Sequence, residues 1–100
     1  MEIKIMIIYI DGQSIKESLD FHKQLSSQLK ISQYYGRNLD ALWDLLSMNI
    51  ERPLTLVWNN SQESKKYLGE EFDAIVEILD RVKRQDIFYN WQDKFNYYLK

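Results

Sequence analysis

The sequence contains no cysteine, one histidine, one proline and three glycines. Without cysteine, neither a disulfide scaffold nor a thiolate metal site can form. So little proline and glycine leaves no flexible linker or low-complexity segment, and no internal repeat is visible. Nor is there an excess of positive charge. Thirteen Lys and Arg against fifteen Asp and Glu give a formal net charge of −2, which argues against a nucleic-acid binder, whose affinity rests on clustered cations neutralising phosphates. The basic clusters, Lys65-Lys66 and Arg81-Val82-Lys83-Arg84, read as solvated helix ends. Nor is there a membrane-spanning run. The apolar stretch Ile3 to Ile10 is short, is interrupted by Lys4 and lacks the small-residue cleavage site of a signal peptide. The protein is accordingly expected in the cytoplasm, without a membrane or nucleic-acid partner.

What is plentiful is apolar and aromatic. In 100 residues, 45% hydrophobic content and fourteen aromatics suffice for one core, so residues 1–100 read as a single domain. Ile3 to Ile10 is nearly continuous rather than alternating, which predicts a strand buried on both faces, closed by the turn residues Asp11-Gly12. Ser18 is placed to cap a helix over Leu19 to Leu29, with Phe21, Leu25 and Leu29 inward and Lys23, Gln24 and Gln28 outward. His22 falls near the inward stripe and reads as a packing residue, since no second His or Cys exists to partner it. Leu54 to Trp58 predicts a second, central strand. Asn59-Asn60-Ser61 precedes a short helix near Gln62 to Leu68, closed by Gly69. A longer helix follows from Glu70 to Arg84, where Phe72, Ile75, Val76, Leu79 and Val82 recur at three and four. The third strand is expected at Phe95 to Leu99, with Ile87 to Trp91 as a packed connection; the alternative places it at Ile87 to Tyr89. Strands alternating with helices imply an α/β layer, a small parallel sheet covered by about four helices.

The chain is organised around residues 34 to 46, Tyr34-Tyr35-Gly36-Arg37-Asn38-Leu39-Asp40-Ala41-Leu42-Trp43-Asp44-Leu45-Leu46. Gly36 suits a tight turn after two tyrosines, and Asn38 is a good N-cap, so a helix should start at Leu39 and run to about Met48. Leu39, Leu42 and Leu46 then share one stripe, flanked by Trp43 and Leu45, with Asp40 and Asp44 opposite. Like charges four apart on a helix repel by a few tenths of a kcal/mol. Asp40 gains from the helix dipole, but Asp44 lies a turn too far along. With Trp43 between them and Tyr34 and Tyr35 upstream, the pair fits a protein–protein hot spot, in which rigid aromatic anchors exclude water around a few ion pairs. A solvated acidic face is the competing reading.

The run Tyr-Tyr-Gly-x-Asn-Leu-Asp-Ala-Leu-Trp-Asp, Tyr34 to Asp44, resembles the signature of the barstar family, intracellular inhibitors of barnase-type ribonucleases. Ile10-Asp11-Gly12, His22 and Pro53-Leu54-x-Leu56-x-Trp58 line up with the same family, and the resemblance covers roughly residues 5 to 84. It implies a three-stranded parallel sheet and an inhibitor whose acidic helix blocks a cationic nuclease site by mimicking phosphates. Tyr34, Tyr35, Gly36, Asn38, Leu39, Asp40, Trp43 and Asp44 would be the partner-binding residues, with no catalytic residue, metal or cofactor and a free form that is monomeric. Two departures bear on the target. Met48-Asn49-Ile50 lacks the family's glycine and tryptophan, and Arg81 stands where a peripheral interface glutamate is expected. Two other functions compete. An interaction module would use the same face against a different basic toxin or nuclease. An enzyme would use Asp40 and Asp44 as acid and base or as Mg²⁺ ligands, although a third ligand, a nucleophile and a phosphate loop are all missing.

Overall fold

β-Branched and aromatic residues build three strands in the computed structural model, which describes residues 5–100: β1 (Met6–Asp11), β2 (Leu54–Asn59) and β3 (Phe95–Leu99). Between them lie a single 3₁₀ turn (Gly12–Ser14) and four helices, α1 (Ser18–Leu29), α2 (Leu39–Met48), α3 (Ser61–Leu68) and α4 (Glu70–Phe88). The sheet is parallel throughout, in the order β1-β2-β3, with Ile8 beside Leu56 and Leu56 beside Tyr97. The third strand therefore falls at Phe95–Leu99, and the alternative at Ile87 to Tyr89 is excluded because α4 continues through Phe88.

Two right-handed crossovers stepping the same way across a sheet leave their helices on one face. Burial follows that rule. Ile8, Ile10, Leu54, Leu56, Trp58 and Phe95 point into the core, whereas Ile7, Tyr9 and Tyr98 on the other face are 45%, 57% and 49% exposed. This corrects the expectation of a first strand buried on both faces: β1 is an edge strand, and its outward positions Ile7 and Tyr9 are apolar without being buried. The predicted start of that strand, at Ile3 and Lys4, lies outside the described residues.

Trp58 centres the core. It stacks on Phe21 with ring centroids 4.8 Å apart, meets Phe72 edge-on at 5.0 Å and donates its indole N–H to Ser64 Oγ at 2.9 Å. Helix α1 does more than cover the sheet. Gln28 accepts from Tyr9 N at 2.9 Å and donates to Tyr9 O at 2.6 Å, while Gln24 makes the same pair of bonds to Asp11 at 2.7 and 3.1 Å. Two side-chain amides one turn apart thus stand where a fourth strand would pair, so Gln24 and Gln28, expected to face solvent, close the sheet edge. The α1 cap also differs from expectation. Glu17 is the N-cap, its N–H bonded to Asp20 Oδ2 at 3.1 Å, and Ser18 donates instead to Glu71 Oε2 at 2.8 Å.

Gly12 marks a close approach between the turn after β1 and the start of α3. A Cβ there would be driven into the carbonyl oxygens of Asn59 and Asn60, which are backbone and cannot swing aside. Gly12→Ala is expected to destabilise the fold by about 1–3 kcal/mol through overpacking, read as a lower urea midpoint at unchanged slope.

Candidate partner-binding site

After α1 ends in the left-handed Lys30, the chain makes one tight turn in which the N–H groups of Tyr34 and Tyr35 both bond to Ile31 O, at 2.9 and 3.1 Å. The turn sends the two tyrosines opposite ways. Tyr34 is 83% exposed, whereas Tyr35 is 9% exposed and its hydroxyl lies 2.6 Å from His22 Nδ1. Tyr35 is thereby a wall of the site rather than an exposed anchor. Gly36 does not have the positive φ that its place in the turn suggested; the left-handed residue is Arg37, at φ 58°. Gly36 is instead close-packed, since a Cβ on it would sit 3.2 Å from Ala41 Cβ.

Asn38 caps α2 as expected, its Oδ1 accepting Ala41 N–H at 2.8 Å. Leu42 and Leu46 are fully buried, with Trp43 and Leu45 packed against the same core at their margins. Leu39 departs from the predicted stripe: at the first turn it is 39% exposed and is not among the residues packed against the core. Asp40 and Asp44 are exposed and enter no ion pair among the described residues.

The far end of α2 is held by three side chains. Asn49 Nδ2 donates to Asp44 O at 2.8 Å, Gln85 Nε2 to Ser47 O at 3.0 Å and Arg52 Nη2 to Leu46 O at 2.6 Å. The bonds to Leu46 O and Ser47 O satisfy carbonyls that a helix C-terminus otherwise leaves unpaired. Arg52 is fixed in turn by Asp86, with Nε–Oδ2 at 2.7 Å and Nη2–Oδ1 at 3.0 Å, and the fully buried Asp86 also accepts Phe95 N–H at 2.7 Å. One buried ion pair therefore joins α2, α4 and β3. On the outer side, the guanidinium of Arg81 lies 4.5 Å from the centroid of the Trp43 ring.

Two clefts flank the loop. One of about 400 Å³ is walled by Ile31, Tyr34, Gly36, Asp44, Leu45 and Asn49. The other, about 250 Å³, lies among Ser18, His22, Arg37, Leu39, Glu71 and Ala74. Of the residues expected to bind a partner, Tyr34, Leu39, Asp40 and Asp44 are exposed, Trp43 is half-buried, and Asn38 and Gly36 shape the backbone. The walls Ile31, Leu45 and Asn49 and the supports Arg52, Asp86 and Arg81 were not singled out for these roles by sequence. Two of them left a signal: Arg81 through its departure from the family's expected glutamate, and Asp86 as an acid continuing the inward series Ile75, Leu79, Val82.

His22 titrates below its ordinary value because burial disfavours the imidazolium, and the same burial raises the Tyr35 hydroxyl. The unfolded chain therefore takes up a proton on His22 at a higher pH than the folded one. This contribution is fully present above about pH 6.5 and is lost as pH falls from there toward the lowered folded value. Urea midpoints measured between pH 7 and 5 are expected to fall with pH in the wild type, and to fall less in His22→Gln, since His22 is the single histidine.

The fold is thus a small α/β domain with a one-sided parallel sheet, in which α2, tied at both ends and packed against α4, keeps its two aspartates exposed. No group of three or more candidate metal ligands occurs among the described residues. Residues 5–99 match the family described as Barstar (barnase inhibitor). A protein of Bacillus subtilis (strain 168) named "Putative ribonuclease inhibitor YrdF" is 38% identical over 78 residues, which cover 78% of this chain and 86% of that protein. The chain belongs to the Barstar (barnase inhibitor) family. Its members are non-enzymatic inhibitors, which removes the reading of Asp40 and Asp44 as an acid–base pair. None of the helices among the described residues is long and apolar enough to cross a membrane.

Proposed function

We propose that this protein inhibits a barnase-type ribonuclease, in the cytoplasm, by laying α2 and the 34–38 loop across the enzyme's active site. The observation that carries the reading is the pair Asp40 and Asp44: exposed, one turn apart, and without a cation of their own among the described residues. Like charges so placed weaken an isolated helix, and Asp44 is too far from the N-terminus for the dipole to offset it. A partner that must hold a phosphodiester supplies the missing cations, and complementary charge both steers the encounter and fixes the register. The cleft beside Asp44 has the apolar walls Ile31 and Leu45 and would take a cationic side chain, its stem along the walls and its charge at the carboxylate.

The free protein is monomeric in this reading. Gln24 and Gln28 close the β1 edge, while on the β3 edge Asp86 takes Phe95 N–H and Asn96 Oδ1 takes Tyr97 N–H, at 2.7 and 2.9 Å. The test is inhibition of a barnase-type ribonuclease by the purified protein beside its Asp40→Ala/Asp44→Ala variant. Inhibition that the variant loses supports the reading; an active ribonuclease in excess folded wild type overturns it.

A further inference from the structure

The outer flank of α4 carries Glu77, Asp80, Arg81 and Arg84, and three of these are engaged with one another. Arg84 reaches Glu77 at 3.3 Å and Asp80 at 2.9 Å, and Asp80 also accepts the Tyr97 hydroxyl at 3.0 Å. Arg81 enters no ion pair among the described residues. It is exposed, and its guanidinium rests over Trp43, the residue between the two aspartates of α2. A cation is thus held in place at the margin of an acidic face without neutralising it by contact.

We infer that Arg81 is a specificity determinant of this face, and that the partner carries a carboxylate beside the cations that receive Asp40 and Asp44. The inference rests on the docking function proposed above. A partner that covers Trp43 also strips water from the guanidinium stacked on it, and a desolvated charge without a counter-ion is costly. A surface of uniformly positive charge would be rejected twice, by desolvation and by direct repulsion. A surface with a carboxylate at that point gains a bidentate pair with a fork already oriented by its stack on the indole. Asp40 and Asp44 therefore select for a cationic site, and Arg81 selects among cationic sites for one with an acidic neighbour.

The experiment measures Kd for a barnase-type ribonuclease inhibited by the wild type, using wild type, Arg81→Ala and Arg81→Glu. Each is tested against the wild-type ribonuclease and against single alanine replacements of the carboxylates around its active-site cleft. Arg81 is exposed, so thermal unfolding of the variants should match wild type and exclude a folding defect. Arg81→Glu is expected to raise Kd roughly 30-fold or more. For one carboxylate replacement, the loss caused by Arg81→Ala should shrink to within about twofold, because the pair is already broken. Affinities of both Arg81 variants within about threefold of wild type, tighter binding by Arg81→Glu, or a loss that is equal for every ribonuclease variant would overturn the inference. Failure of the underlying reading looks different: the Asp40→Ala/Asp44→Ala variant would bind as well as wild type, or the wild type would leave the enzyme active, and the Arg81 inference falls with it.

Discussion

Asp86→Ala is expected to destabilise the protein by about 3–5 kcal/mol, the cost of leaving a buried charge without its partner. Asp86 is fully buried and is held 2.7 Å from Arg52, whose side chain is itself only 9% exposed. Removing the carboxylate strands the guanidinium and also leaves Phe95 N–H, at the first residue of β3, without its acceptor. Urea denaturation read by tryptophan fluorescence measures the loss, which is a large fraction of the 5–15 kcal/mol typical of a domain. A loss below about 1 kcal/mol would show that the pair contributes geometry and little stability. Replacing both partners, as in Arg52→Met/Asp86→Leu, is expected to recover much of the loss, since apolar residues of similar volume carry no desolvation cost. The double variant would still lack the acceptor of Phe95 N–H, which keeps the recovery incomplete, and the Arg52 donor on Leu46 O, so α2 would be less firmly held. Stability that recovers while inhibition does not would separate the two roles of this network.

The elements easiest to read in the sequence were those whose determinants are local. The start of α2 follows from Asn38 bonding three residues ahead, the end of α3 from Gly69, and the body of α4 from the three-and-four recurrence of its apolar residues. Errors arose where a residue's partner is distant. Gln24 and Gln28 look like solvent-facing polar residues until β1 is placed beside α1, 13 and 19 residues away in sequence. Ile7 and Tyr9 imitate a doubly buried strand because an open sheet face tolerates apolar residues and periodicity records polarity, not coverage. The apolar recurrence of α4 is clear only as far as Val82, so the helix is expected to end at Arg84; it runs on to Phe88, with Asp86 buried against an arginine from the loop before β2. The same limit applies to the site. Its charged pair and indole are visible as a local motif, but the cation over that indole comes from 38 positions further on, and no local spacing announces it.

Asp44→Ala is expected to weaken binding to an inhibited ribonuclease by about 2–5 kcal/mol while changing folding stability by less than about 0.5 kcal/mol. The two halves of this expectation have separate origins. Asp44 is exposed and enters no ion pair among the described residues, so the free protein loses nothing but one member of a repelling pair. In the complex the residue would stand at the mouth of the 400 Å³ cleft, between the loop and α2, where a partner's cation is desolvated against it. Truncation then leaves that cation buried and unpaired, which is why the effect on affinity exceeds the worth of an exposed ion pair, about 0–1 kcal/mol. Asp40, at the first turn and outside both clefts, should cost less, because its counter-charge keeps more water. Dissociation rates should carry most of the Asp44 effect, and association rates measured across a range of salt should carry the rest. An Asp44→Ala variant that unfolds at markedly lower urea would show the carboxylate to be structural. One that folds normally and inhibits as well as wild type would move the docking face away from α2.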